Sequence, residues 1–279
     1  MRLVLLTALV MVAFAANSVL NRWAVFGAGL GPAYVAVLRL GSGAAVLLLL
    51  TLALRGAKTL RLAPSVVGVG VATLFLYIFG FSIASGLIDA GVGALTLFGS
   101  VQITMLAGAL VMREPISRWR WIGAGLALSG LALLLLPAGG GPIDPRGFGL
   151  MALAGIGWGL YSLNGRRSRD PLAATALNFA LATPLAFIWL AVAQDQGQGE
   201  TWGIWPALAS GAITSGLGYA LWYRVLPQIP ASLAAIAQLS VPIIAALGGA
   251  VILAEIPEAR FWLSAALVLG GIALSLKRG

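Results

Sequence analysis

A block of 46 residues is written twice in this chain. Residues 91–136 form one long apolar run, a short charged break at Arg113-Glu114-Pro115, and a second apolar run rich in Gly and Ala. With a shift of 141 positions, Ser232 to Lys277 repeats the layout: Ala94 falls on Ala235, Gly108 on Gly249, Glu114 on Glu255, Trp121 on Trp262 and Gly130 on Gly271. A shift of 139 carries the correspondence back, placing Gly31-Pro32 and Arg39 on Asp170-Pro171 and Asn178. A fixed-period repeat restricts the fold to two copies of one unit packed on each other. The expected units are residues 1–136 and 147–279, separated at 137–146 by a Gly/Pro linker that opens with Pro137-Ala138-Gly139-Gly140-Gly141-Pro142.

The solvent for which these units are built follows from their side chains. Hydrophobic residues make up 60% of the chain and charged ones 9%. A water-soluble domain carries about 25% charged residues. The apolar runs are long enough to cross a hydrocarbon core as helices, and too long and unalternating for barrel strands. The sequence predicts an all-α membrane protein with ten transmembrane helices, approximately at 3–20, 31–54, 65–86, 89–112, 120–136, 147–163, 171–193, 203–226, 229–253 and 259–276. Five helices per unit is an odd number, so the second unit is inverted relative to the first. Glu114 and Glu255 then lie at opposite faces.

Loop charges give the orientation. The side holding both termini carries twelve basic residues: Arg2, Arg55, Lys58, Arg61, Arg113, Arg118, Arg120, Arg166, Arg167, Arg169, Lys277 and Arg278. The other side has three, Arg22, Arg146 and Arg260. This asymmetry predicts an inner (cell) membrane protein with cytoplasmic termini. The same placement in short loops explains the net charge of +9 without nucleic acid as a partner. The apolar start ending in Ala13-Phe14-Ala15 imitates a cleaved leader, but the first unit needs it as a helix.

Several chemistries lack their residues. There is no cysteine and no histidine, hence no thiol nucleophile, thiolate metal site or imidazole relay. No metal site and no cofactor is expected, and no phosphate-cradling loop is present to drive transport with ATP. The eight acidic residues (Asp89, Glu114, Asp144, Asp170, Asp195, Glu200, Glu255 and Glu258) all fall at helix ends or in loops. A lipid-modifying membrane enzyme would need a cluster of such groups within the spans, so the expectation is a transporter and not an enzyme. Proton-coupled carriers also use intramembrane carboxylates. Their absence favours facilitated transport or exchange.

The order of Arg39 in the second span, Glu114-Pro115 after the fourth, Trp158-Gly159 in the sixth, Pro242 in the ninth and Glu255 after it resembles the drug/metabolite transporter superfamily, specifically its EamA-type exporters. One departure is Val101, which stands where the second copy has Pro242. The resemblance implies a central cavity lined by helices one, three, four, six, eight and nine, with alternating access between the repeats. The aromatic richness looks most like the bacterial exporters of aromatic amino acids, so the implied substrate is a small metabolite, an aromatic or bulky apolar amino acid. A multidrug or quaternary-cation exporter is the rival within transport. Monomer and homodimer both fit the sequence.

Polar and aromatic residues at middle depth are the candidates for a substrate cavity, because intramembrane polar groups are costly and face an interior. They are Asn17, Tyr77, Ser100, Gln102, Trp158, Tyr161, Tyr219, Gln238 and Ser240. The amides could hold a zwitterion or simply bond between helices. The rings could stack on a substrate or pack against lipid. Arg39, a permanent charge inside the second span, either meets a substrate carboxylate or is structural, bonding carbonyls at a broken helix or snorkelling to the surface. Glu114 and Glu255 are expected as helix-end structural groups, capping the next helix or pairing with nearby arginines such as Arg260.

Overall fold

Helices begin where the sequence supplies a fixed φ and a capping oxygen. Pro145 opens one helix, and the Asp144 carboxylate accepts hydrogen bonds from the free N–H groups of Arg146 (2.7 Å) and Gly147 (3.2 Å). Pro171 opens another, and Asp170 accepts from the Ala173 N–H at 3.1 Å. The first of these starts lies within the expected linker, so the helix extends two residues further back than hydrophobicity alone indicates.

The computed structural model describes residues 2–60, 64–111, 113, 117–135, 143–165, 168, 170–193, 199–225, 228, 237–238 and 240–275. Its main helices are α1 (Arg2–Arg22), α2 (Pro32–Arg55), α3 (Pro64–Ala84), α4 (Ala90–Val111), α5 (Arg118–Leu135), α6 (Pro145–Gly165), α7 (Pro171–Ala193), α8 (204–225), α9 (Ser240–Leu253) and α10 (Ala259–Ser275). These match the ten expected spans, and no strand occurs among the described residues. The first part of the ninth expected span, the Gly/Pro-rich 137–142 and Glu114 lie outside the described residues. Among the described residues, five helices (α1, α2, α3, α4 and α7) are long and apolar enough to cross a membrane. Large apolar side chains such as Val111, Val192 and Val251 face outward, as a lipid-facing surface requires.

The packing follows the repeat. α3 lies on α6, and its counterpart α8 lies on α1; α4 lies on α6, and its counterpart α9 lies on α1. The pairs α2 with α7, α4 with α9 and α5 with α10 join equivalent helices of the two halves directly. At the α5–α10 crossing the equivalent glycines Gly130 and Gly271 admit the other helix: a Cβ on Gly271 would come 2.4 Å from the Gly123 carbonyl oxygen. Arg55 at the end of α2 pairs with Asp170 at the start of α7 (3.8 Å), whereas Arg22, Asp89 and Glu255 gather at the other end of the bundle. That distribution is the one an up-and-down chain of ten spans produces.

The repeat reaches the backbone dihedrals. Arg113, after α4, and Ala254, after α9, are the non-glycine residues of positive φ among those described, at 54° and 55°. They are equivalent under the shift of 141. In the second copy the left-handed Ala254 follows α9 and turns the chain toward Glu255, at a steric cost of about 1 kcal/mol for a side chain with a Cβ. Ala254→Gly is therefore expected to raise unfolding stability by a similar amount, about 1 kcal/mol, and Ala254→Val to lower it, as measured by unfolding in detergent.

Candidate functional site

The eighth span is not uniform. Its middle, Ser210–Leu217, winds as a π-helix between an α segment at Ile204–Ala209 and another at Gly218–Val225. The wider turn carries the run SGAITSGL, in which Ser210, Thr214 and Ser215 are buried. Such π stretches concentrate at functional sites because they rotate side chains out of the α register. Here they face α1 and α2.

Asn17 of α1 sits at the centre of the resulting polar cluster. Its carbonyl oxygen accepts from the hydroxyls of Ser210 (2.8 Å) and Thr214 (3.0 Å), and its amide donates to the Tyr77 hydroxyl of α3 at 3.3 Å. Arg39 of α2 donates from Nη2 to the same Tyr77 oxygen at 2.6 Å and from Nε to Ser215 at 3.3 Å. The guanidinium is completely buried, and its centre lies 5.0 Å from the ring centroids of Tyr77 and Phe81. Snorkelling is thus excluded for Arg39, and its partners are hydroxyls and ring faces instead of carbonyls.

An aromatic cluster adjoins these groups. The Trp158 ring of α6 lies 5.2 Å from Tyr77 and 5.2 Å from Tyr219, and stacks on Tyr161 at 5.5 Å with 25° between the planes. Between the two clusters is a cavity of about 30 Å³. Its walls are Phe14, Asn17 and Ser18 of α1, Tyr77 and Phe81 of α3, Leu97 and Phe98 of α4, Trp158 of α6, and Thr214 and Tyr219 of α8. A site of that size admits a water or two and no metabolite, so its walls must separate for a solute to enter.

Four of the nine candidate cavity residues, Asn17, Tyr77, Trp158 and Tyr219, are on this lining. Tyr161 lies behind Trp158, donating to Thr175 at 3.0 Å and accepting from Asn178 at 3.5 Å. Ser100 is buried where α4 meets α6, opposite Gly155. Gln102 is half-buried on α4, and Gln238 half-buried ahead of α9; Ser240 turns its hydroxyl back to the Ala237 carbonyl at 2.7 Å. None of these five is on the lining. Ser18, Thr214 and the supporting Ser210 and Ser215 were not anticipated, although a Ser/Thr/Gly-dense run inside an apolar span is a visible signal.

Glu255 forms a second cluster at the end of the bundle away from the termini. The sequence points to Arg260 or the N-terminus of the following helix as its partner. The structure corrects this: Glu255 Oε1 accepts from Arg22 Nε at 2.5 Å and Oε2 from the Ala90 N–H at 2.8 Å, while Arg260 meets Glu258 at 3.6 Å. The carboxylate therefore caps α4 of the other half, where the helix dipole favours negative charge. Arg22 also reaches Asp89 at 3.3 Å and the Ser85 carbonyl at 3.1 Å, and stacks over the Phe26 ring. Burial raises the Glu255 carboxyl above its ordinary value, against the pull of Arg22 and the Ala90 N–H. A cavity of about 250 Å³ opens beside it, edged by Asp89, Asp144, Glu258 and Arg260.

Comparison with known proteins agrees with this architecture. A Pseudomonas aeruginosa protein named "Uncharacterized protein PA1977" is 45% identical over 277 residues, 99% of this chain and 94% of that one. The "Uncharacterized transporter YwfM" of Bacillus subtilis is 30% identical over 195 residues, 65% of this chain and 62% of its own length. An "Uncharacterized transporter" of Archaeoglobus fulgidus is 22% identical over 218 residues, 77% of this chain and 78% of that one. A solved crystal structure superposes with a TM-score of 0.69 at 20% identity, covering 98% of this chain and 97% of the other; that likeness concerns the fold alone. Residues 145–277, the second repeat, match the EamA-like transporter family. With apolar helices, a two-fold repeated packing and a cavity of aromatic and polar side chains where the halves meet, the chain belongs to the EamA-like transporters of the drug/metabolite superfamily.

Proposed function

We propose that this membrane transporter exports small metabolites, with aromatic or bulky apolar amino acids favoured, by alternating access of the repeats 1–136 and 147–279 around the Asn17–Trp158 cavity, in the inner membrane with cytoplasmic termini. The observation that carries the reading is the junction of Trp158, packed among Tyr77, Tyr161 and Tyr219, with the polar cluster on Asn17. Flat rings offer stacking to an aromatic side chain, and the amide and hydroxyls offer hydrogen bonds to its polar end. The only charge set among these groups is the Arg39 guanidinium, which opposes an organic cation. No intramembrane acid is available as a proton carrier in the sequence, so the direction of flux follows the substrate gradient.

The test is uptake of radiolabelled Trp and Phe into liposomes holding the purified protein, beside Thr, Ala and a quaternary ammonium compound, with and without an imposed pH gradient. Aromatic flux is expected to persist when the gradient is collapsed and to fall roughly tenfold in Trp158→Ala, the equivalent of about 1.4 kcal/mol of lost stacking. Flux of the cation alone, or flux that requires the pH gradient, would overturn the proposed substrate or mechanism respectively.

A further inference from the structure

Arg39 is a cation without a counter-ion among the described residues. It is fully buried, cannot lose its proton, and the described ion pairs, Arg22 with Asp89 and Glu255, Arg55 with Asp170 and Arg260 with Glu258, all lie at helix ends. One of its nitrogens, Nη1, is buried with no hydrogen-bond partner among the described residues. Leaving a charge so poorly compensated is expensive and persists where something charged is meant to visit.

The hydrogen bonds around it have a direction. Tyr77 Oη accepts from Arg39 Nη2 at 2.6 Å and from Asn17 Nδ2 at 3.3 Å, so its own proton is left to donate. Asn17 Oδ1 is already occupied by Ser210 and Thr214. Tyr77 lines the cavity, and the guanidinium on its oxygen makes its O–H a stronger donor. The remaining polar lining groups are hydroxyls, an amide and an indole N–H, and no carboxylate is among them to meet an ammonium group.

We propose that Arg39, acting through and beside Tyr77, forms a carboxylate subsite, and that this transporter selects its solutes by a carboxylate and not by an ammonium group. The inference rests on the transport reading but widens it: 2-oxo acids and simple arylalkyl carboxylates belong to the same substrate class as the zwitterionic amino acids. Amines and amino-acid amides of the same carbon skeleton do not.

The experiment uses the full-length protein in liposomes preloaded with labelled phenylalanine and compares external phenylalanine, phenylpyruvate, phenethylamine and phenylalanine amide as exchange partners. Phenylpyruvate is expected to stimulate exchange within about tenfold of phenylalanine, and the two carboxylate-free compounds to be at least tenfold weaker. Arg39→Gln is expected to abolish that preference and Arg39→Lys to keep part of it; the wild-type ligand series decides the matter if Arg39→Gln does not fold. Phenethylamine as effective as phenylalanine, or phenylpyruvate inert while phenylalanine exchanges, would overturn the subsite. Should no compound exchange, the transport reading fails separately, and melting of the detergent-solubilised protein with the same four compounds reads the subsite directly. Stabilisation by both carboxylates and neither amine supports it, and any other pattern overturns it.

Discussion

Removing the Arg22 side chain is expected to cost about 3 kcal/mol of stability at neutral pH, because it strands a carboxylate that is largely out of water. The Glu255 side chain is 9% exposed and that of Arg22 5%, so solvent does little to screen either. Arg22→Ala and Glu255→Ala should each destabilise, whereas the double change Arg22→Leu with Glu255→Leu should recover most of the loss, since the one carboxylate left without Arg22, that of Asp89, is half-exposed and solvated. Acidity separates the two single variants. Burial already raises the folded-state carboxyl above its ordinary value of 4.5, and loss of Arg22 raises it further. A raised acid contributes stability that is complete below its unfolded value and is lost as pH rises through the folded one. The deficit of Arg22→Ala should therefore shrink as pH falls from neutrality toward 4.5, when Glu255 takes up a proton. The deficit of Glu255→Ala should not shrink, because Arg22 stays charged. Unfolding of both variants in detergent across that pH range checks the sign.

The same pair bears on access to the cavity. Arg22 belongs to the first half and Glu255 to the second, and Glu255 also holds the N-terminus of α4. Opening the bundle at this end requires their separation. The chain has no cysteine, so Ser18→Cys places a single thiol on the cavity wall. Labelling of that thiol by a membrane-impermeant maleimide should be faster when Arg22 and Glu255 are both leucine, although that protein is expected to keep most of the parent's stability. Unchanged labelling would reduce the pair to a structural cap.

Much of this arrangement was open to inspection in the chain itself, and the reasons differ by residue. The ten spans follow from run length, because lipid leaves the backbone no alternative to a helix. The equivalence of Glu114 with Glu255 and Gly130 with Gly271 follows from the repeat. Asn17, Tyr77, Trp158 and Tyr219 were identified by depth alone, since a polar tip inside a membrane is seldom idle. Depth does not say which way a side chain points, and Ser100, Gln102, Tyr161, Gln238 and Ser240 lie at similar depth off the cavity lining. Apolar residues on nearly every face leave a membrane helix without the amphipathic stripe that reveals facing in a soluble one. The π-helical turn was illegible for a related reason. It depends on tertiary contact with α2, and Arg22 meets Glu255 across 233 positions that no local pattern links.

That contact makes Gly211 the position of largest expected effect in the cavity's framework. A Cβ placed there would stand 2.0 Å from the Ser42 hydroxyl and 2.2 Å from the Arg39 carbonyl oxygen. The second of these is backbone within α2 and cannot turn aside. The Ser42 hydroxyl itself bridges the helices, donating to Leu38 and lying 3.1 Å from the Leu208 carbonyl. Gly211→Ala must push the π-helical turn away from α2, at a cost of about 3 kcal/mol for overpacking a closed interface. Displacement would carry Ser210, Thr214 and Ser215 with it, and so withdraw hydrogen bonds from Asn17 and Arg39 at once. Gly68→Ala is the matched control, because nothing lies within 4 Å of its added Cβ. It is expected to be neutral or slightly stabilising, as alanine suits a helix better than glycine by about 1 kcal/mol. If detergent unfolding and liposome flux of Gly211→Ala match those of Gly68→Ala, the close seat of the π-helical turn on α2 is not what holds the polar cluster in place.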